Sequence, residues 1–442
     1  MWRGCKAGGP MKILMSAFAC CPGKGSEEGV GWNWAVQAAS QGHEVAVLTQ
    51  TCDRRAIEAE IAKGQLPEGL SFDFLMPAWP AALRKVSLKL GMGGMSDHLT
   101  HLAWQFAAPG HVRKHYRQAD FDIVHHITYG GIRHPTLLGR LALPLVLGPL
   151  GGGERAPYRL RRSYHWRGWL YDLLRDIHTW SLKLDPITRL ACADALAIYV
   201  ETPQSKSALP RRHHHKISVH TEIGTHQLNS PPPSPPRRAG GPLRLIYAGR
   251  FLYWKGMNMG LRAVAEARAR GVDVRLTMVG SGPDEGAWRR LAGELGLGDT
   301  VDWRGWVPQS ELIELYRSHD ALLFPSLHDS SGNVVLEAFV NAVPVICLDL
   351  GGPAEMTDAS CGMVVPVEGR SVEDCVGGLA GAIEAMNASA DFRERLSRGA
   401  RAQARRYRWA DVVRALYGDV EHRLRNEAPV PRRVPRPLQL EQ

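Results

Sequence analysis

The sequence predicts an α/β protein built from two doubly wound parallel sheets. Short apolar runs, typical of buried strands, alternate with segments of helical periodicity, and this alternation occurs twice along the 442 residues. The Pro-rich stretch 229–242 separates the two series, because it favours neither a helix nor a strand. A chain of this length is expected to form more than one domain, so we interpret the stretch as an interdomain linker.

The first series predicts a domain over residues 11–228. Its apolar runs are separated by helical patterns such as 32–40, which is the order expected of a doubly wound sheet. The runs expected to be strands are 12–17, 44–49, 71–75, 122–126, 145–147 and 195–200.

The second series predicts a domain over residues 243–405. Residues 392–424 have a helical pattern, and a helix over 406–427 is expected to close the chain. We expect a disordered leader over 1–10, with Met11 as the true start, and a disordered tail over 428–442. The runs expected to be strands in this half are 243–249, 272–279, 320–324 and 344–348.

The stretch 324–344 joins the end of a strand, a small polar loop and the start of a helix. Small residues let a ligand approach the backbone, and the helix that follows directs unpaired N–H groups and its positive end toward that ligand. Asp329 and Glu337, eight residues apart, supply acceptors for hydroxyl groups. We therefore predict a site for a phosphorylated ligand that also carries hydroxyls. The residues expected at the start of the helix are Gly332, Asn333 and Val334.

Two cations follow the predicted strand 243–249. Arg250 and Lys255 stand five residues apart in the turn that leads to a helical pattern near Met259. The planar fork of an arginine and the point charge of a lysine are suited to neutralise a diphosphate from two sides.

With these motifs the chain resembles the retaining nucleotide-sugar glycosyltransferases of family 4, which have the two-domain GT-B fold. The resemblance covers most of the chain and is specific because its markers occur in the right order. The family normally has Glu where this chain has Asp329, and the shorter side chain either suits a different pattern of sugar hydroxyls or weakens donor binding. The markers are Gly249-Arg250 with Lys255-Gly256, the runs 279–283 and 305–308, and the acidic pair that flanks Gly332.

The resemblance implies a retaining, metal-independent enzyme that moves a sugar from an NDP-sugar to an acceptor hydroxyl, with no further cofactor. Glu337 would bind the ribose and Asp329 the sugar. Arg250 and Lys255, with the helix end near Asn333, would stabilise the leaving diphosphate in place of Mg²⁺. Gly282, in the marker 279–283, is expected to lie beside the nucleotide.

Loops at the carboxyl ends of the first-domain strands are expected to face the cleft between the domains. The loop 22–32 contains four glycines, and the resemblance implies a substrate contact near Gly29; a plain turn is the alternative. Adjacent strand residues point to opposite faces, so at most one of His125 and His126 is expected to face the cleft. The resemblance implies that His126 contacts the transferred sugar. The alternative is that His126 has a structural role. Glu154 is expected either to contact the acceptor or to end a turn.

Several motifs are interpreted as structural. Asp120 and Asp122 form an Asp-x-Asp, but the pair lies at the amino end of a predicted strand, so no metal site is expected there. The run His213 to His215 is interpreted as part of a solvated basic loop. The eight cysteines lack the spacing of a metal site, which predicts reduced thiols in the cytosol. No run of 18 apolar residues and no signal peptide is recognised, so a cytoplasmic protein is expected.

The net charge of +10 is concentrated in the middle of the chain. Residues 111–240 carry 19 Lys and Arg against 9 Asp and Glu. Within them the segment 158–180 mixes basic with aromatic residues, which favours an anionic membrane surface. The alternative is a solvated helix whose aromatics pack on the first domain. No nucleic-acid motif accompanies the charge, so we expect no nucleic-acid partner. The residues concerned are Arg159, Arg161, Arg162, Arg167, Arg175, Tyr164, Trp166, Trp169, Tyr171 and Trp180.

The basic and aromatic segment suggests that the acceptor is a lipid-linked saccharide in cell-surface polysaccharide assembly, reached from the inner face of the membrane. Two other functions are compatible with the same fold. A sugar-nucleotide epimerase would need an acid or base pair near the sugar ring, and none is evident in the sequence. A degenerate subunit that binds a sugar nucleotide or acts as a scaffold is suggested by Asp329.

Overall fold

The computed structural model describes residues 9–77, 93–134, 136–226 and 241–426, which form two α/β domains. Each domain is built around one sheet in which all neighbouring strands are parallel. The predicted leader, linker and tail lie almost entirely outside the described residues.

The first domain has a seven-stranded sheet between layers of helices. Its strands are β1 (Lys12–Ala17), β2 (Glu44–Thr49), β3 (Leu70–Phe74), β4 (Ile123–Thr128), β5 (Leu145–Leu150), β6 (Ala195–Val200) and β7 (Ile217–Val219), in the order β3-β2-β1-β4-β5-β6-β7. Its helices are α1 (Ser26–Ser40), α2 (Arg54–Ala62), α3 (Gly93–His115), α4 (Trp166–Ser181), α5 (Pro186–Asp194) and α6 (Pro203–Ala208).

The second domain has a six-stranded sheet of the same type. Its strands are β8 (Leu243–Ala248), β9 (Val274–Val279), β10 (Val301–Gly305), β11 (Ala321–Phe324), β12 (Val345–Leu348) and β13 (Gly362–Val365), in the order β10-β9-β8-β11-β12-β13. Its helices are α7 (Met257–Ala269), α8 (Glu285–Glu294), α9 (Gln309–Ser318), α10 (Asn333–Val340), α11 (Gly351–Met356), α12 (Val372–Ala388) and α13 (Ala390–Ala404), and α14 (Trp409–Asn426) follows them.

The central strands overlap the predicted ones because most of their residues are apolar. In β4, β5, β11 and β12 every residue is buried, as expected where helices cover both faces of a parallel sheet. The unpredicted strands β7, β10 and β13 are all at sheet edges. They are short, and β10 (VDWRG) carries charges on its exposed side, which is how edge strands avoid further pairing.

The helical stretch predicted over 392–424 is two helices. A break at residues 405–408 separates α13 from α14, and the chain there pairs with the first domain through a bridge between Thr225 and Arg408. Helix α14 then packs on the first sheet. The Tyr417 hydroxyl lies 2.9 Å from His125 Nδ1, and the Tyr199 hydroxyl donates to Asp419 at 2.6 Å. The last helix therefore connects the two domains.

Candidate functional site

The predicted cation Lys255 and the predicted acid Asp329 meet at the carboxyl edge of the second sheet. Lys255 ends a short turn after β8, and its Nζ lies 2.8 and 2.7 Å from the two carboxylate oxygens of Asp329. Gly256 makes this close packing possible. It has φ 70°, and a Cβ there would lie 2.0 Å from the carbonyl oxygen of Pro325. The two loops are thus held against each other.

Arg250 lies before the same turn. Its carbonyl oxygen accepts a hydrogen bond of 3.0 Å from the Tyr247 hydroxyl, which fixes the backbone, while the side chain is exposed. Among the described residues no acid pairs with its guanidinium, so this cation can meet an anionic ligand.

The loop after Asp329 leads into α10 as the sequence predicts. Gly332 has φ 69° at the start of the helix, Asn333 is exposed and Val334 is half-buried. The Gly352 N–H donates to the Asp329 carbonyl at 2.8 Å, which supports the loop from below. The first turn of α10 therefore presents backbone N–H groups beside the loop that carries Asp329.

Glu337 lines a cleft between the domains that encloses about 250 Å³. Gly29 and Asn33 of α1 lie on its other wall, with Asn333 beside Glu337. The Tyr316 hydroxyl lies 3.4 Å from Glu337 Oε2, and burial raises the pKa of Glu337. The structure thus brings together the predicted residues Glu337, Asn333 and Gly29 in one cleft.

Gly282 lies outside this cleft and has a packing role. A Cβ at Gly282 would lie 2.3 Å from the carbonyl oxygen of Phe251, and one at Gly280 would lie 2.0 Å from that of Gly249. The glycines of this marker therefore allow its loop to rest on the backbone that precedes Lys255.

The two histidines of β4 are both buried. The Nδ1 of His125 lies beside the Tyr417 hydroxyl, and its Nε2 lies 2.7 Å from the Gly148 carbonyl oxygen. Both ring nitrogens of His125 therefore have hydrogen-bond partners. His126 Nδ1 lies 3.0 Å from the Ser16 hydroxyl, and its Nε2 has no hydrogen-bond partner among the described residues. Burial lowers the pKa of His126 to about 3, so the ring is neutral at pH 7. His126 does not line the cleft with Glu337.

Glu154 is held inside the first domain. It accepts hydrogen bonds from the Thr202 hydroxyl (2.6 Å), the Ser205 hydroxyl (2.7 Å) and the Gly152 N–H (3.0 Å). Its side chain is buried. Of the two roles considered for Glu154, the geometry favours ordering the glycine loop 151–153.

A group of carboxylates at the carboxyl edge of the first sheet was not among the predicted site residues. Glu27 begins α1, Glu201 follows β6 and Glu222 follows β7, and the three interact with one another. They face Ser330 and Ser331 of the second domain. Burial and the neighbouring carboxylates raise the pKa of Glu201 to about 8, and they raise the pKa of Glu222 as well. Glu201 directly follows β6 and Glu222 lies three residues after the end of β7, which was the signal available.

A second contact between the domains surrounds Asp172 of α4. Asp172 accepts a hydrogen bond of 3.0 Å from the Tyr253 hydroxyl and lies 3.4 Å from His328 Nε2. These two residues adjoin Lys255 and Asp329 in the chain. Helix α4 of the first domain therefore contacts both loops of the Lys255–Asp329 pair.

Helix α4 exposes its apolar residues and buries polar ones. Gly168, Asp172, Asp176 and Thr179 are buried on one face. The exposed fractions of Trp166, Trp169, Leu170, Leu174, Ile177 and Trp180 are 71, 43, 44, 57, 55 and 58%. Trp166 and Trp180 are mostly exposed, so the alternative that the aromatics pack on the first domain is wrong for these two. Arg161 is also not on the surface, because it is buried beside Asp176, whose Oδ2 lies 2.6 Å from its Nη2.

The motifs interpreted as structural lie away from the cleft. Asp122 accepts from the Lys12 N–H at 2.8 Å at the amino end of the sheet. The interpretation of 213–215 as solvated is wrong for His213, which is buried and accepts from Arg212 Nε at 2.8 Å. Within the described ranges, no group of three or more His, Cys, Asp or Glu side chains is arranged to hold a metal ion. None of the described helices is both long and apolar enough to cross a membrane.

Comparison with known proteins identifies the second domain. Residues 234–403 match the family described as glycosyl transferases group 1. A D-inositol 3-phosphate glycosyltransferase of Stackebrandtia nassauensis is 32% identical over 212 residues, which cover 45% of this chain and 46% of that protein. The same enzyme of Corynebacterium glutamicum is 28% identical over 339 residues, covering 64% and 79%. The chain thus spans less than half the length of the first of these relatives.

A solved structure resembles both domains together. The Anabaena protein HepE in complex with UDP matches with a TM-score of 0.57 and 15% identity, covering 93% of this chain and all of that one. At this identity the likeness concerns the fold alone. The predicted GT-B architecture is confirmed by it.

Proposed function

We propose that the chain transfers a sugar from a nucleotide-sugar to an acceptor hydroxyl, because residues 234–403 match the family described as glycosyl transferases group 1. The observation that carries the proposal is the Lys255–Asp329 pair, which lies with exposed Arg250 and the start of α10 at one edge of the second sheet. Ligands of open α/β sheets bind at this edge.

The proposed donor is an NDP-sugar held by the second domain. The diphosphate lies between Arg250, Lys255 and the N–H groups at Asn333, which supply positive charge without a metal ion. The nucleotide extends into the cleft, where Glu337 accepts from the ribose. Asp329 both orients Lys255 and accepts from a hydroxyl of the sugar, since a carboxylate has four lone-pair positions.

The proposed transfer retains the anomeric configuration. The acceptor hydroxyl enters from the first domain and attacks the face from which the diphosphate leaves, while Arg250 and Lys255 stabilise the charge that develops on the diphosphate. Its proton passes to the departing diphosphate. The contact between Asp172 and the loops of the second domain supports a mechanism in which the closed cleft excludes water and limits hydrolysis.

The proposed acceptor is a lipid-linked saccharide, reached at an anionic membrane surface. The support is α4, which exposes an apolar face of Trp, Leu and Ile and contacts the loops of the Lys255–Asp329 pair through Asp172. Exposed Arg159, Arg162 and Arg167 flank this face, and each cation near anionic headgroups contributes about 1 kcal/mol. We propose that this face of α4 inserts at the headgroup boundary of the inner membrane leaflet.

Thermal stabilisation by UDP, GDP, ADP and TDP sugars, with and without EDTA, tests the donor site. We expect one nucleotide to raise the Tm in both conditions, and the double variant Arg250→Ala, Lys255→Ala to lose the effect. A matched variant, Lys63→Ala on an exposed helix end, should keep it. Absence of any shift would instead favour the scaffold subunit, and a shift abolished by EDTA would overturn the metal-independent mechanism.

Sedimentation with phosphatidylglycerol vesicles tests the membrane surface. The variant Leu170→Asp, Leu174→Asp removes two exposed side chains, each worth about 1.5 kcal/mol or more if buried in the bilayer, so binding should fall at least tenfold. Ile61→Asp is the matched control, because Ile61 is 46% exposed on α2. If both variants bind the vesicles equally well, the exposed face of α4 is not the membrane-binding surface.

A further inference from the structure

A groove at the amino edge of the second sheet is not explained by the proposed transfer. It encloses about 460 Å³ between β8, β9, β10 and the end of α9, which is within the size range of small-molecule sites. Arg250 and Lys255 follow the opposite, carboxyl end of β8. Because a strand of six residues is about 20 Å long, the groove and the donor site are separate.

Two arginines stand side by side in this groove. Arg244 of β8 and Arg275 of β9 are register partners, so their side chains leave the same face of the sheet from strands about 4.8 Å apart. Like charges opposite each other on neighbouring strands are destabilising. Arg304 of β10 lines the same groove and adds a third guanidinium. The fold therefore keeps positive charges together although they repel one another.

Neither Arg244 nor Arg275 is neutralised by an acid of the described chain. The Arg275 guanidinium donates to the backbone carbonyl of Asp299. Asp320 accepts from the backbone N–H of Arg244 at 2.9 Å and lies 3.8 Å from Arg393 Nε, so its contact with Arg244 leaves the guanidinium unpaired. An arginine carries five side-chain N–H donors, and both residues keep most of theirs for a ligand.

The end of α9 supplies acceptors rather than donors. His319 Nδ1 lies 2.5 Å from the Leu315 carbonyl oxygen, which only accepts, so this nitrogen carries the ring proton. Burial lowers the pKa of His319, and its neutral Nε2 accepts from the Thr277 hydroxyl at 2.8 Å. The Ser318 hydroxyl donates to the same Leu315 carbonyl at 2.9 Å. The hydroxyl protons are thus used within the protein, and the arginines are left to bind an anion.

The charges of the groove indicate the class of ligand. A phosphate monoester carries nearly two negative charges at pH 7 and three terminal oxygens, so it can accept from two guanidinium groups at once. Asp302 pairs with Arg304 at 2.6 Å, and Asp299 is the second acid of the groove. Three arginines against two aspartates leave an excess of one positive charge, which suits one phosphate rather than a polyanion. The carboxylates can also accept from ligand hydroxyls.

We propose that this groove is a second ligand site, in which Arg244 and Arg275 hold the phosphate of a phosphorylated sugar and Asp299 and Asp302 accept hydrogen bonds from its hydroxyls. The site does not depend on the proposed transfer function, because none of these four residues lies in the donor site or in the cleft between the domains.

Titration calorimetry on the full chain tests the inference. The probes are the 6-phosphates of glucose, galactose and mannose, beside inorganic phosphate and the free hexoses. The wild type and the donor-site variant Arg250→Ala, Lys255→Ala should both bind at least one hexose phosphate, about tenfold more tightly than inorganic phosphate or the free hexose. Binding to neither protein, binding no tighter than that of inorganic phosphate, or binding lost in the donor-site variant would overturn the second site.

Substitution of the two arginines locates the binding. Arg244→Gln and Arg275→Gln should each weaken the hexose phosphate about tenfold. Neither should lower the Tm of the ligand-free protein, because each substitution relieves a repulsion. Arg398→Gln, at an exposed arginine of α13, is the matched control and should leave binding unchanged. Unchanged binding in both groove variants would contradict the proposal. If these variants do not fold, the comparison of hexose phosphate with inorganic phosphate still decides it, and loss of sugar transfer elsewhere would leave it intact.

Discussion

Lys255 and Asp329, 74 positions apart in the chain, form an ion pair in which both carboxylate oxygens contact one Nζ. The exposed fractions of the two side chains are 13 and 21%, so the pair is only partly solvated. The pair neutralises the lysine, and in the proposed donor site a diphosphate would share that lysine with Asp329.

Substitution of Lys255 and substitution of Asp329 should therefore have different effects on NDP binding and turnover. Lys255→Ala removes a cation from the diphosphate and should weaken NDP binding at least tenfold, or about 1.4 kcal/mol. Asp329→Asn releases Lys255, so NDP binding should be kept while turnover falls. Titration calorimetry and a transfer assay measure the two effects. Equal losses of NDP binding in both variants would contradict separate roles, and Asp329→Ala with full turnover would contradict any role in transfer.

Removal of Asp172 should disturb the donor site from the other domain. Asp172→Ala leaves the Tyr253 hydroxyl without its acceptor and His328 without its neighbour, and such unsatisfied groups cost about 1–3 kcal/mol. Because these residues adjoin Lys255 and Asp329, we expect the KM for the donor to rise several-fold. Steady-state kinetics on the variant, with exposed Asp120→Asn as control, measures this. An unchanged KM with lowered stability would show that the contact is structural only.

The pH dependence of stability should reveal Glu201. Its pKa is raised to about 8 by burial, above the ordinary 4.5, so the folded protein binds more protons than the unfolded chain between these values. The free energy of unfolding should therefore fall as the pH rises from 4.5 to 8, by up to about 1.4 kcal/mol per pH unit, and level off above 8.

Denaturant unfolding between pH 6.5 and 8 measures this slope, and comparison of the wild type with Glu201→Gln cancels the contribution of the histidines that both proteins share. Glu201→Gln should flatten the curve, whereas Glu58→Gln should not. If the slope of the free energy of unfolding against pH is unchanged in Glu201→Gln, groups other than Glu201 cause it.

Tyr417 should stabilise the return of the last helix to the first domain. Tyr417→Phe removes the hydroxyl that lies 2.9 Å from His125 Nδ1 and leaves a buried ring nitrogen unpaired, at a cost of about 1–3 kcal/mol. The denaturant midpoint should fall accordingly, and exposed Tyr158→Phe should leave it unchanged. No change in the Tyr417 variant would show that apolar packing alone fixes α14.

The sequence by itself determined the two parallel sheets, because strands such as β1, β6 and β12 are mostly apolar runs bounded by polar residues. It also indicated Lys255, Asp329 and the start of α10, since a small polar loop between a strand and a helix is a local pattern. Edge strands such as β10 escaped prediction because their residues are half exposed.

Only the tertiary structure decided how distant residues combine. Glu201 and Glu222 follow unremarkable strands, and their proximity arises because parallel strands end at the same edge of the sheet. The burial of His126 and the hydrogen bonds of Glu154 likewise depend on neighbours far away in the chain. The exposed apolar face of α4 has the same origin: an amphipathic pattern predicts two faces, but packing decides which of them meets the protein.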